Sequence, residues 1–181
     1  MIINCVDTSD PAGWIASCNL DSPISISGKD TAGMVDLVLK RAGSKKISRL
    51  NIMDHGTPHS IQIGNERITS GAFASTHPML KSKVQKELER LKGHFTPNGS
   101  VFLMQCNSGQ DQSLIRGFAK AVGVNVYATP YKYQGLLHTT SRSYWTLITL
   151  EKNEATDPLT SEPPYVCATP GGTVTTLTEL P

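Results

Sequence analysis

The chain has 181 residues, 38% of them hydrophobic and 18% charged, with a formal net charge of +2. Such a length builds one compact domain with a sizeable core, and the composition excludes a disordered, collagenous or coiled-coil chain. So small a charge gives no case for nucleic acid, and the densest basic stretch, Lys81 to Lys92, is interleaved with Glu87 and Glu89 as on a solvated helix face.

Residues 2–6 (Ile-Ile-Asn-Cys-Val) predict a first short strand, and the Asp-, Ser-, Pro- and Gly-rich residues 7–22 a loop. Pro23 to Ser27 alternates Ile24 with Ile26 as a second strand would. Asp30 or Thr31 can cap a helix whose apolar positions include Met34, Val35 and Val38, with Gly43 past its end. Ile47 to Asp54 is an apolar strand that runs into His55-Gly56. Thr57 to Thr69 reads as a hairpin turning at Gly64-Asn65. Pro78 to Lys92 reads as an amphipathic helix with Leu80, Val84, Leu88 and Leu91 on one face, and Pro97-Asn98-Gly99 as a turn. A second apolar strand, Val101 to Gln105, ends at Cys106-Asn107-Ser108-Gly109. Asp111 to Ala121 is a helix and Val124 to Ala128 a strand.

Strands alternating with helices imply an α/β fold with a mostly parallel sheet flanked by helices. Beyond Pro130 the character changes. Ser143 to Glu151 and the Thr-rich Val166 to Leu177 suit added antiparallel edge strands. The organisation expected is one domain over residues 1–181, with an α/β core over 1–130 and a loop plus edge strands over 131–181.

The amino terminus has neither the basic region nor the apolar core of a signal peptide, and no stretch approaches the ~20 apolar residues of a membrane span. The expectation is a protein without membrane contact, cytoplasmic or exported without a cleaved leader. Of the four cysteines (Cys5, Cys18, Cys106 and Cys167), none forms a Cys-x-x-Cys pair, and His59, His77, His94 and His138 lack ligand spacing, so no metal and no cofactor is expected. Ser108 stands in no Gly-x-Ser-x-Gly elbow, and no Walker or dinucleotide fingerprint occurs.

Sites in open α/β sheets lie beyond the carboxyl ends of strands. His55 and Cys106 stand at two such ends, an imidazole and a thiol suited to nucleophilic catalysis. Gly56 has no side chain to keep a substrate from its backbone N–H; that N–H and the N–H of Cys106 can form an oxyanion hole, and the helix after Cys106 is expected to aim its positive end there.

The stretches Ile52-Met53-Asp54-His55-Gly56 and Phe102-Leu103-Met104-Gln105-Cys106-Asn107-Ser108-Gly109 resemble the two motifs of caspase-like cysteine peptidases, which carry His-Gly after one strand and Cys after the next. Over roughly residues 45–130 the order of features is similar to that of an uncharacterised bacterial caspase-like domain of large surface and secreted proteins. The resemblance implies a three-layer caspase-like fold and a cysteine endopeptidase acting on a peptide or protein, as a bacterial effector, defence or toxin-processing protease. Cys106 would be the nucleophile, His55 the proton donor to the leaving amine, and the amides of Gly56 and Cys106 the oxyanion hole. The loop carrying Tyr131 and Tyr133 would then bind substrate, its tyrosines either walling a pocket or simply packing on the sheet. The Gln-Ala-Cys-x-Gly signature of caspases is departed from, since one more residue separates Cys106 from Gly109. Two alternatives stand beside this reading: a binding or assembly module with a vestigial dyad, and an acyltransferase or amidase using the same pair. Oligomeric state is not legible in the sequence.

Overall fold

A computed structural model describes residues 1–9, 20, 22–130, 132–135, 148–151 and 165–177. In chain order the strands are β1 (Ile2–Val6), β2 (Ile24–Ser25), β3 (Ile47–Met53), β4 (Gly56–Thr57), β5 (Ser60–Ile63), β6 (Glu66–Ile68), β7 (Phe95–Met104), β8 (Asn125–Ala128), β9 (Lys132–Gly135), β10 (Ile148–Glu151), β11 (Tyr165–Ala168) and β12 (Val174–Leu177). The helices are α1 (Thr31–Ala42), α2 (Lys83–Glu89) and α3 (Gln112–Val122).

A seven-stranded sheet runs β12-β11-β8-β7-β3-β1-β2. The five strands from β8 to β2 are parallel, and β11 and β12 join antiparallel at one edge. The expected mostly parallel α/β architecture with antiparallel strands from the tail is therefore present. β10, which covers part of the strand-like run at Ser143 to Glu151, instead pairs with β9 in a separate ribbon. β4, β5 and β6 form the expected hairpin after His55.

The pleat sorts the side chains by alternation. Ile3 and Cys5, Leu50 and Ile52, Val101 and Leu103, and Val126 and Ala128 point to one face, where the three described α-helices pack. α1 gives Met34, Val35 and Val38 to this core, α2 gives Val84 and Leu88, and α3 gives Leu114, Ile115 and Phe118. Each such burial stabilises by about 1.5–3 kcal/mol before entropy is counted. Val6, Met53, Phe102, Met104, Tyr127 and Cys167 form a smaller cluster on the opposite face, to which no helix among the described residues contributes.

The helix ends follow the expected capping chemistry. Asp30 accepts from the Gly33 N–H at α1, and the Gly43 N–H closes on Leu39 O. Two local expectations change. The helix expected from Pro78 begins only at Lys83, because Ser82 is its cap, accepting from Gln85 N while donating to Ala72 O. Pro78–Leu80 is a separate 3-10 turn, and Leu80 lies 72% exposed instead of facing the core. The turn expected at Pro97-Asn98-Gly99 lies inside β7, whose register against β3 jumps from Ile47↔Phe95 to Arg49↔Ser100. The extra residues bulge out of the ladder there, which lets proline sit within a strand.

Candidate active site

β3 and β7 are hydrogen-bonded neighbours, paired Leu50↔Val101, Ile52↔Leu103 and Met53↔Met104. His55 and Cys106 each stand two residues past the last pair, so a common register carries both motifs to one row at the carboxyl edge. His55 is exposed and Cys106 half-buried.

Gly56 shows how closely the two motifs approach. A Cβ at this position would run into the Cys106 carbonyl oxygen and stand 2.9 Å from Gln105 Cβ and 3.1 Å from Cys106 N. The glycine after His55 thus admits the Cys106 main chain itself, a different reason from the substrate access expected of it. Gly56 faces Ile61 across the hairpin, and Gln62 N donates to His55 O at 3.0 Å. In that antiparallel register Gly56 occupies the non-bonded pair, so its N–H turns away from β5.

The hairpin clasps both motifs. Gln105 is wholly buried, and its side chain reaches Gln62: Gln62 N donates to Oε1 at 2.9 Å, and Nε2 donates to Gln62 O at 2.7 Å. Asp54 accepts from His55 N and from Gly64 N, each at 2.6 Å. Gly64 itself (φ +59°) is wedged against Ile26 O and Lys29 O with no room for a side chain. Beyond Cys106 the chain turns through Asn107 at φ 56°, a left-handed conformation asparagine tolerates better than most residues. Buried Ser108 donates from Oγ to Gln105 O at 3.0 Å, and Gly109 N donates to Thr129 O at 2.7 Å.

Two carboxylates flank this edge with opposite electrostatics. Burial pushes Asp54 up to about 6, against the two N–H bonds and the nearby charge of His55, while Asp7 adds a like charge. Burial also raises Asp7, but bonds from Ser27 Oγ (2.7 Å), Ser9 N (2.9 Å) and Ser9 Oγ (2.9 Å), with the charge of His55, outweigh it and hold the group below its ordinary range. Asp7 N donates to Met53 O at 2.9 Å, which sets Asp7 beside Asp54.

Residues 16–154 match the family described as a domain of unknown function, DUF4347. The chain belongs to the DUF4347 family. No curated protein matches it, and no solved structure does. The matched span includes His55, Gly56 and Cys106 but leaves out β1 and Asp7.

The other expected features of this DUF4347 chain fall as follows. Cys106 lies in a turn five residues before Asp111, the cap of α3, whose carboxylate accepts from Ser113 N at 2.9 Å and Leu114 N at 3.0 Å. Tyr131 lies outside the described residues, and Tyr133 stands on β9. Cys5 is sealed in the core, where burial, opposed by Arg41, pushes its thiol up to about 12. Burial likewise raises Cys167, opposed by a bond with Tyr127. Among the described residues no group of His, Cys, Asp or Glu is arranged to hold a metal ion, and no helix is long and apolar enough to cross a membrane.

Gln62, Gln105 and Asp7 did not stand out in the sequence. Asp7 did carry a signal: Val6-Asp7 and Met53-Asp54 are the same apolar-then-acidic ending on adjacent strands. The two glutamines carried none, because their pairing spans 43 residues of chain.

Proposed function

We propose that this chain is a cysteine peptidase of the caspase-like kind, working by acyl transfer through Cys106 with His55 as its partner. The observation that carries the reading is the common register of β3 and β7, which ends both strands on one row with Gly56 against the Cys106 main chain. Cys106 is also more accessible than Cys5 and Cys167, as a nucleophile must be.

In this reading the Cys106 sulfur attacks the scissile carbonyl carbon and its proton passes to His55. The N–H groups of Gly56 and Cys106 stabilise the oxyanion. As the tetrahedral intermediate collapses, the C–N bond breaks and His55 delivers the proton to the leaving amine. Water then attacks the thioester, releasing the acid and restoring the thiol. Imidazole and sulfur need not be in contact before substrate arrives, since catalytic hydrogen bonds commonly tighten only in the complex.

The test is a peptide-library digestion read by mass spectrometry, with Cys106→Ala as the paired control. The reading expects cleavage products from the parent protein and none above background from the variant, both folded. Equal cleavage by the two, or none by either across a broad library, would remove it.

A further inference from the structure

We infer that Gln105 is a positioning residue for the proposed dyad: through Gln62 its carboxamide fixes the main chain of Cys106 against that of His55. The inference rests on the reading of His55 and Cys106 as a catalytic pair, and goes beyond it by assigning what holds the pair in place.

Three observations meet at this side chain. Gln105 immediately precedes Cys106 and has no exposed surface. Its two polar atoms are both engaged, and both on the main chain of Gln62 in the hairpin, not on its own strand or a sheet neighbour. The Gln62 N–H that donates to Gln105 Oε1 also donates to His55 O. One peptide group is therefore shared between the residue before Cys106 and the carbonyl of His55. The other end of Gln105 is tied as well, since its carbonyl accepts from buried Ser108 Oγ. A buried carboxamide is tolerated only when its donors and acceptors are met. An apolar residue of similar size would fill the space but would leave the Gln62 carbonyl without its Gln105 donor and the two motifs without their bridge. Reaction geometry is sensitive at this scale, because a misplacement of about 1 Å costs on the order of 10²-fold in rate.

The distinguishing variant is Gln105→Glu, which keeps the shape. A protonated carboxyl there still donates to Gln62 O and accepts from Gln62 N. The ionised carboxylate keeps the second bond and sets an acceptor against the Gln62 carbonyl. The other ionisable or charged groups on the elements around Gln105 are Asp54 and His55 just past β3, Cys106 just past β7, Asp7 just past β1, and Glu66 and Arg67 on β6. All are common to parent and variant, so the variant-to-parent ratio of kcat is the readout.

Measured on the best peptide from the library, with folding verified at each pH, that ratio is expected to approach one in acid and to fall on the order of 10-fold to 10²-fold as pH rises. KM should change little. Gln105→Leu should lower kcat by a similar factor with no recovery in acid. If both variants keep parental kcat per folded molecule across the pH range, or if activity falls only in proportion to folded protein, Gln105 is structural and the inference is overturned. A Cys106-dependent parent with unimpaired Gln105 variants removes the assignment of Gln105 alone. A parent whose hydrolysis survives Cys106→Ala removes the dyad, and this assignment with it.

Discussion

The two ends of one sheet are built by different physics. At the amino edge, Arg49, Phe102, Asn125, Tyr127 and Pro170 help line a groove of about 600 Å³. It is organised by stacking: the Phe102 and Tyr127 rings lie 4.7 Å apart at 16°, and the Arg49 guanidinium sits 4.5 Å from the Phe102 centroid. At the carboxyl edge the order comes from directional hydrogen bonds among buried polar groups: Gln105 with Gln62, Asp54 with Gly64, Asp7 with Ser27. Stacked contacts tolerate replacement, whereas a buried polar group stripped of its partner bears its full desolvation cost. This groove is thus not where the chemistry is proposed. Mutations at the two edges should differ in kind as well as size.

After the loss expected of Cys106→Ala, the largest expected effect is at His55. His55→Ala should lower kcat/KM by about 10²–10⁴-fold in steady-state peptide cleavage. Because the side chain is exposed, the denaturation midpoint should hardly move. Gly56→Ala comes next and should affect both properties. Its methyl group would force the Cys106 carbonyl away, costing about 1–3 kcal/mol in chemical denaturation and on the order of 10²-fold in kcat. Retention of parental activity and stability would show that the motifs do not abut.

A smaller effect belongs to the carboxylates and has a definite sign. Asp54 is held at about 6, above the 3.8 ordinary for an aspartate. Between these values the folded chain keeps a proton that the unfolded chain has lost, so this group makes stability fall as pH rises through the window. Asp54→Asn should flatten that slope in thermal melts taken from pH 4 to 7. Asp7, lowered, works the other way: its stabilisation is present above the ordinary carboxylate value and is lost as pH falls below it. The smallest effect is at the amino edge. Arg49→Ala should cost about 0.5–1 kcal/mol of stability and leave kcat/KM unchanged.

What could be read from the sequence was whatever local pattern decides. The apolar runs located β3 and β7, the alternation of strands with helices implied their shared direction, and their endings delivered His55 and Cys106. Asp30 and Asp111 marked helix starts because an N-cap is a contact within one turn. Where two local signals competed, the reading slipped. Pro78 suits a first helical position, yet Ser82 is the cap. Pro97-Asn98-Gly99 has turn chemistry, yet it is a bulge that the β3 pairing absorbs. The Gln62–Gln105 clasp was beyond reach, because nothing local distinguishes a glutamine bonded across the fold from one facing solvent. The role of Gly56 was half legible: its need for space was foreseen, but what fills that space is the partner motif.

Native-state alkylation of Cys106 tests the central claim most directly. Iodoacetamide labelling followed residue by residue in the native protein should find Cys106 modified well ahead of Cys5 and Cys167, which are buried and should react only on unfolding. Labelling of Cys106 no faster than of those core thiols would contradict the account.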